Sequence, residues 1–255
     1  MVAKTELTKE EAARMPMMRH LREMRDRIAK SAIVLIITIC ISFVFTPQLI
    51  EILKAPAGNV DLQAIELVEN LSVFVKVALV SGIILAMPFL VYQLLAYVSP
   101  ALTRKEKSYI YKIIPFVTIM FLGGVAFAYY IALPPALYFL LGFMQGVAET
   151  VPRISDYINV VTRIILAVGL IFETPVIIMF LARMGLVTPQ WLAKRRKLWV
   201  VLAFIIAAII TPTFDPINQT IIALPLIILL EMSILLARFV YRKRKETVPE
   251  EADIG

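Results

Sequence analysis

The sequence predicts an all-α integral membrane protein with six transmembrane helices and both termini in the cytoplasm. Three observations carry that reading. The 255 residues are 60% hydrophobic, with a mean hydropathy of +0.84, more apolar surface than a water-soluble domain of this length can hide. Charge-free runs reach the roughly 20 helical residues that a hydrocarbon core requires: Ser31–Ile50 has 20 residues, Val77–Leu102 has 26, Ile113–Ala148 has 36 and Leu198–Phe214 has 17. The basic residues, finally, fall almost entirely on one side of the resulting map.

In chain order the predicted spans are 28–46, 71–96, 109–131, 157–182, 198–212 and 217–238. Spans four and six contain charges, but only Arg163, Glu173 and Glu231. They form a single domain: a cytoplasmic amphipathic segment over 1–27, the bundle over 28–238 and a charged cytoplasmic tail over 239–255. An even number of spans puts both termini on one side. That side carries eight Lys/Arg in 1–30, four in 98–112, five in 183–197 and five in 238–255, which is 22 of the 26. Cationic loops stay cytoplasmic. The pI near 9.5 is therefore a topology signal, with anionic lipid as the ordinary partner, and it does not imply nucleic acid.

Before the first span, Met17, Leu21, Met24 and Ile28 form one apolar stripe at helical spacing, as in an interfacial helix. No cleavable signal peptide is visible, since the first apolar run follows some 27 polar residues and has no small-residue cleavage site. Cys40, the single cysteine, lies in the first span and reads as packing. In the first outer loop, 47–70, Pro47, Pro56 and Gly58 are helix breakers, and its apolar residues suggest short helices over the outer face. The second outer loop, 132–156, opens on Pro134-Pro135. The third is the tight turn "TPTFDPIN". Span five rises only about 20 Å, short of the roughly 30 Å core.

Several chemistries are excluded. His20 is the only histidine and has no nucleophile pattern near it; a His/Cys metal site fails by count. Gly123-Gly124 lies in an apolar span and reads as a helix contact rather than a phosphate loop. No cofactor is indicated, and a binding or transport role is favoured over an enzyme. Among cytoplasmic carboxylates, Glu23 has an ordinary explanation as a helical pair with Arg19 or Arg27. Glu106, three residues after Thr103, fits a helix-capping box.

At these residues the sequence resembles the TatC family, the signal-peptide receptor of the twin-arginine translocase. "HLREMRDRI" is similar to the family's HLxELRxRL signature. The likeness continues through "APAG", "MPFLVYQLLAYVSPALTRKE", "GLIFETPV" and "TPTFDPINQTIIALPL", in order, over roughly residues 18–240. The resemblance implies a concave six-helix bundle with short fifth and sixth spans. It also implies recognition of paired arginines in the signal peptides of folded export substrates. Single-span TatA- and TatB-type partners, self-association and the proton-motive force complete what it implies for transport. It places signal-peptide binding on Glu23, Glu106, Arg25, His20 and Tyr97, and outer-loop roles on Pro56 and Asp215. Of the intramembrane acids, Glu173 is expected from its own position to make a polar partner contact, and Glu231, about two turns from the inner surface, faces either the bundle or a partner helix. Tyr97 stands where many members have phenylalanine, Met24 replaces a leucine, and the 15 residues before Pro16 exceed the usual start.

Physical chemistry agrees with the carry-over, because two guanidinium groups require planar carboxylate acceptors on an otherwise basic face. Two rivals exist: an ion-coupled secondary transporter using the mid-membrane Glu173, and a passive scaffold. Inverted repeats or paired broken helices, common in transporters, are not visible. Glu173 lies ten residues from both Arg163 and Arg183, near the midplane. Pro175 cannot donate to the carbonyl of Ile171, so water and a partner helix are expected there; the alternative is a protonated acid hydrogen-bonded within the bundle. Lys76 and Arg163 are expected to snorkel to the headgroups.

Overall fold

In the computed structural model, backbone is described for residues 2–58, 60–98, 104–145, 152–211 and 216–247, and side chains for 21–58, 60–97, 114–141, 152–211 and 216–241. The described residues are helical throughout apart from short connections. Five helical stretches are long and apolar enough to cross a membrane: Leu21–Ala57, Glu69–Tyr97, Ile114–Leu141, Ile154–Met184 and Pro216–Tyr241.

The first helix, α1 (Val2–Lys54), does not end at Pro47 but continues seven residues further. A proline removes one backbone donor, whereas leaving the helix inside lipid would strand many, so the helix persists. The Thr46 hydroxyl donates to the Ser42 carbonyl at 2.8 Å. A 3-10 turn, Ala55–Ala57, then closes on Gly58 at φ +64°. Of the short helices expected over 47–70, the described residues hold only the end of α1 and this 3-10 turn, with irregular loop over 60–68.

Helix α2 (Glu69–Val98) returns across the bundle. Helix α3 (Arg104–Phe127) runs into a π-helical turn, Ala128–Ala132, and on into α4 (Leu133–Gln145). The predicted exit at Pro134-Pro135 is thus also corrected. In the wide turn the Leu133 N–H reaches back five residues to Ala128 O, which absorbs the register change and leaves the prolines in the first turn of α4, where a missing N–H costs least.

Helices α5 (Ile154–Phe172) and α6 (Thr174–Met184) form one span broken at Glu173. The short α7 (Pro189–Lys194), with Thr188 as its N-cap, leads into α8 (Arg196–Ile210). At 15 residues α8 is shorter than each of the five spanning stretches, in keeping with the short fifth predicted span. Helix α9 (Pro216–Thr247) completes the chain.

α1 packs on α2, α3 on α5, α6 on α9, and α8 on α9. Only 6% of the apolar window of α1 is buried within the protein, against 44% for Ile154–Met184, so α5 is central and α1 peripheral. Cys40 is exposed on that peripheral helix. The main core gathers Val77, Leu133, Leu137, Ile158, Val161 and Ala207.

Since lipid is as apolar as leucine, tight packing rather than water exclusion holds such helices together, and small residues permit it. A Cβ on Gly82 would lie 2.7 Å from the Ile39 Cα, and one on Gly124 would lie 2.7 Å from the Phe172 Cβ. Gly123 has open space where its Cβ would be, so of the adjacent glycines only Gly124 serves a helix contact.

Candidate functional site

The ends of the bundle differ. One, the terminal face, holds the start of the apolar part of α1 and the end of α2; the other, the loop face, holds the connections from 55–68 and 152–153.

At the terminal face, Glu23 is one turn from Arg27 on α1. The Arg27 guanidinium donates twice to Glu23 Oε1, from Nη2 at 2.6 Å and Nε at 3.1 Å. Its Nη1 donates to Gln93 Oε1 of α2 at 3.1 Å. The Glu23 side chain remains 35% exposed and that of Arg27 25%. Beside them the Tyr97 hydroxyl donates to Met24 Sδ at 3.6 Å. Met24, Arg27, Ile28, Leu90, Gln93 and Tyr97 line a groove of about 280 Å³ between α1 and α2. Arg25 turns to its neighbour Asp26 at 2.9 Å, with both side chains exposed. Glu106 sits in the first turn of α3, but its side chain, that of His20, and Asp215 altogether lie outside the described residues. The structure therefore brings Glu23, Met24 and Tyr97 together and leaves Arg25 apart.

Gln93 was not singled out by sequence reasoning. Its signal was present, as the only amide in "MPFLVYQLLAYV".

Within the membrane, Glu173 is 1% exposed at the junction of α5 and α6. Its N–H bonds Leu170 O at 3.1 Å, and its carbonyl accepts from both Val176 and Ile177 at 3.0 Å. Neither carboxyl oxygen has a hydrogen-bond partner among the described residues, and such a buried group requires an explanation. Glu231 pairs with Arg196 across α8 and α9 at 2.8 Å. Lys76, expected to reach for the headgroups, instead donates from Nζ to Asn159 Oδ1 on α5.

The loop face is stitched across long sequence distances. Gln63 exchanges backbone bonds with Pro152 and Ile154, at 3.2 and 3.0 Å. Glu69, at the start of α2, accepts from the N–H groups of Ile65 at 2.8 Å, Glu66 at 3.2 Å and Ser155 at 3.1 Å. Arg153 bonds Glu66 at 2.8 Å and approaches Glu69 at 3.7 Å; the Glu66 bond, above all, holds its guanidinium above the usual arginine range. The hydroxyls of Tyr129 and Tyr157 donate to Ile52 O and Leu53 O, each at 2.8 Å. Pro56 lies at this face, lining with Pro134, Pro135 and Tyr138 an apolar hollow of about 900 Å³.

Comparison with known proteins agrees with the resemblance. The family described as Sec-independent protein translocase protein (TatC) matches residues 19–225. The TatC protein of Aquifex aeolicus is 38% identical over 238 residues, covering 91% of this chain and 98% of its own. That of Desulforapulum autotrophicum is 36% identical over 247 residues, covering 95% and 91%, and the TatCy protein of Bacillus subtilis is 33% identical over 256 residues, covering 98% and 99%. A crystal structure of the twin-arginine translocase receptor TatC superposes with a TM-score of 0.75 at 37% identity, covering 87% of this chain and 99% of the solved one. A second, in DDM, gives 0.77 at 38% identity, covering 86% and 99%. These matches displace the transporter and scaffold readings. The chain belongs to the TatC family, membrane components of the Sec-independent protein translocase rather than catalysts.

Proposed function

We propose that the terminal face is cytoplasmic and receives the paired arginines of twin-arginine signal peptides, with Glu23 and Glu106 as the acceptors. The observation that carries this reading is the Arg27–Glu23 contact: a half-exposed carboxylate already accepts two bonds from a guanidinium, the chemistry that an incoming arginine requires. Tyr97, Met24 and the adjoining groove offer apolar surface for the peptide beyond its arginines. His20 and Arg25 belong to the same segment and, on this reading, orient the peptide without accepting its charge.

The 22 basic residues on one side support six crossings with both termini inside, α8 making the short fifth crossing of a concave bundle. On this reading the chain sits in the inner membrane, associates with itself, and works with TatA- and TatB-type single-span partners, driven by the proton-motive force. Glu173 supplies a polar contact for a partner helix once the buried junction of α5 and α6 opens to it, since its own bundle offers the carboxyl no partner among the described residues. Glu231, tied to Arg196 and about half exposed, lies nearer the cytoplasmic end of α9, where a partner helix can reach it. Pro56 and Asp215 shape the outer loops.

Photocrosslinking tests the assignment. A photoreactive residue replacing Met24 captures a twin-arginine peptide, and one replacing Tyr138 on the loop face does not. Capture only at Tyr138 would place recognition on the wrong face. For Glu173, the alanine variant inserts and still binds signal peptide but loses partner crosslinks or export, while Glu173→Gln keeps much of both; normal partner crosslinks and export in the alanine variant would make the carboxyl purely structural.

A further inference from the structure

Two cations remain whose positions signal recognition does not explain. Lys76 lies seven residues into α2 and Arg163 nine residues into α5, about 10 and 13 Å below the loop-face ends of their helices by helical rise. A cation at such depth is expensive unless something neutralises it.

The two are neighbours. The Lys76 ammonium is fixed to Asn159, and Asn159 and Arg163 stand one turn apart on the same side of α5, the spacing at which helical side chains meet. That side is turned away from the core: Arg163 is exposed, while Ile158, Val161 and Ile165 on the opposite side are buried. No acid of the described residues forms an ion pair with either cation. Glu66 and Glu69 are committed to Arg153 and to backbone donors. Asp156, exposed and three residues before Asn159, pairs with neither. Next to Lys76 a groove of about 500 Å³ runs along the outward side of α2 past Leu71, Val75, Leu79 and Val80.

We propose that Lys76 and Arg163 hold the headgroup phosphate of an anionic phospholipid in the leaflet next to the loop face, with one acyl chain lying in the α2 groove. A phosphate accepts a point-like ammonium and a forked guanidinium at once. A net negative headgroup matches the local excess of positive charge, and an acyl chain matches the largely apolar groove that passes Lys76 and continues toward the midplane over Leu79 and Val80. Ordinary snorkelling would send each cation separately toward any headgroup. Here Asn159 anchors Lys76, so the lipid comes to the site.

The test uses the full chain in phosphatidylcholine bilayers, with electron paramagnetic resonance of spin-labelled phosphatidylglycerol and phosphatidylcholine. The protein immobilises the anionic probe in preference, by about fivefold for each cation that contributes. The preference falls stepwise in Lys76→Gln and Arg163→Gln and vanishes in the double variant, while Arg163→Lys keeps part of it. Twin-arginine peptide binding is unaffected in all of them, which separates this site from the proposed receptor face. Equal immobilisation of both probes by the unaltered protein overturns the proposal without reliance on any variant. So does an undiminished anionic preference in a folded double variant, or capture of a carboxylate-bearing partner helix at Arg163 with no lipid preference.

Discussion

The two ends of this molecule use the same residue types to opposite effect. At the loop face, Glu69 accepts from three backbone N–H groups, two of its own loop and one 86 positions away at Ser155, and Arg153 closes the arrangement through Glu66. That carboxylate is saturated by donors that cannot move without unfolding the loops. At the terminal face, Glu23 is held by one flexible arginine on its own helix, and a single amide, Gln93, offers that arginine somewhere else to go. A carboxylate bonded to fixed backbone stabilises a structure; a carboxylate bonded to an exchangeable side chain can take a ligand. The difference lies in the partner and not in the residue.

This comparison can be broken from either end. Glu69→Ala leaves three N–H groups without their acceptor, while Arg153 keeps Glu66, and produces the largest fall in thermal midpoint, with peptide affinity of the folded fraction unchanged; a normal midpoint would mean that the clasp is ornamental. Next come the packing glycines. Gly124→Ala forces the α3–α5 contact open and costs about 1–3 kcal/mol, as overpacking does, whereas Gly123→Ala, facing open space, shows little change in detergent melting. A matched loss in both would move the helix contact to the wrong glycine. Smallest is Arg27→Gln, which removes a helical ion pair worth about 0.5 kcal/mol and barely shifts the midpoint, yet alters peptide affinity measurably. If Arg27→Gln instead destabilised as much as Glu69→Ala, the terminal face would be as rigid as the loop face.

Much of this was readable in advance for physical reasons. Charge-free runs report on the bilayer itself, so each predicted span from 28–46 to 217–238 overlaps a helix, five of the helical stretches being long and apolar enough to cross a membrane, and the Glu23–Arg27 pair was visible at its i,i+4 spacing. Prolines misled. Pro47, Pro134 and Pro135 end helices in water, where a freed carbonyl finds a solvent partner, but in lipid the cheaper course is to continue the helix, by a π turn if necessary. The loop-face clasp was illegible because it joins Gln63 to Arg153, a pairing without local periodicity. Lys76 shows the same limit: its depth was readable, and its partner 83 residues away was not.

The central claim is that the terminal-face carboxylates read paired arginines, and peptide affinity for the full chain in nanodiscs tests it most directly. A twin-arginine signal peptide binds, and its twin-lysine counterpart binds about tenfold or more weakly, since an ammonium cannot reproduce the forked contact. Glu23→Gln with Glu106→Gln reduces both peptides to the same weak level while the protein stays folded. Undiminished discrimination between the two peptides in that folded double variant would contradict the account.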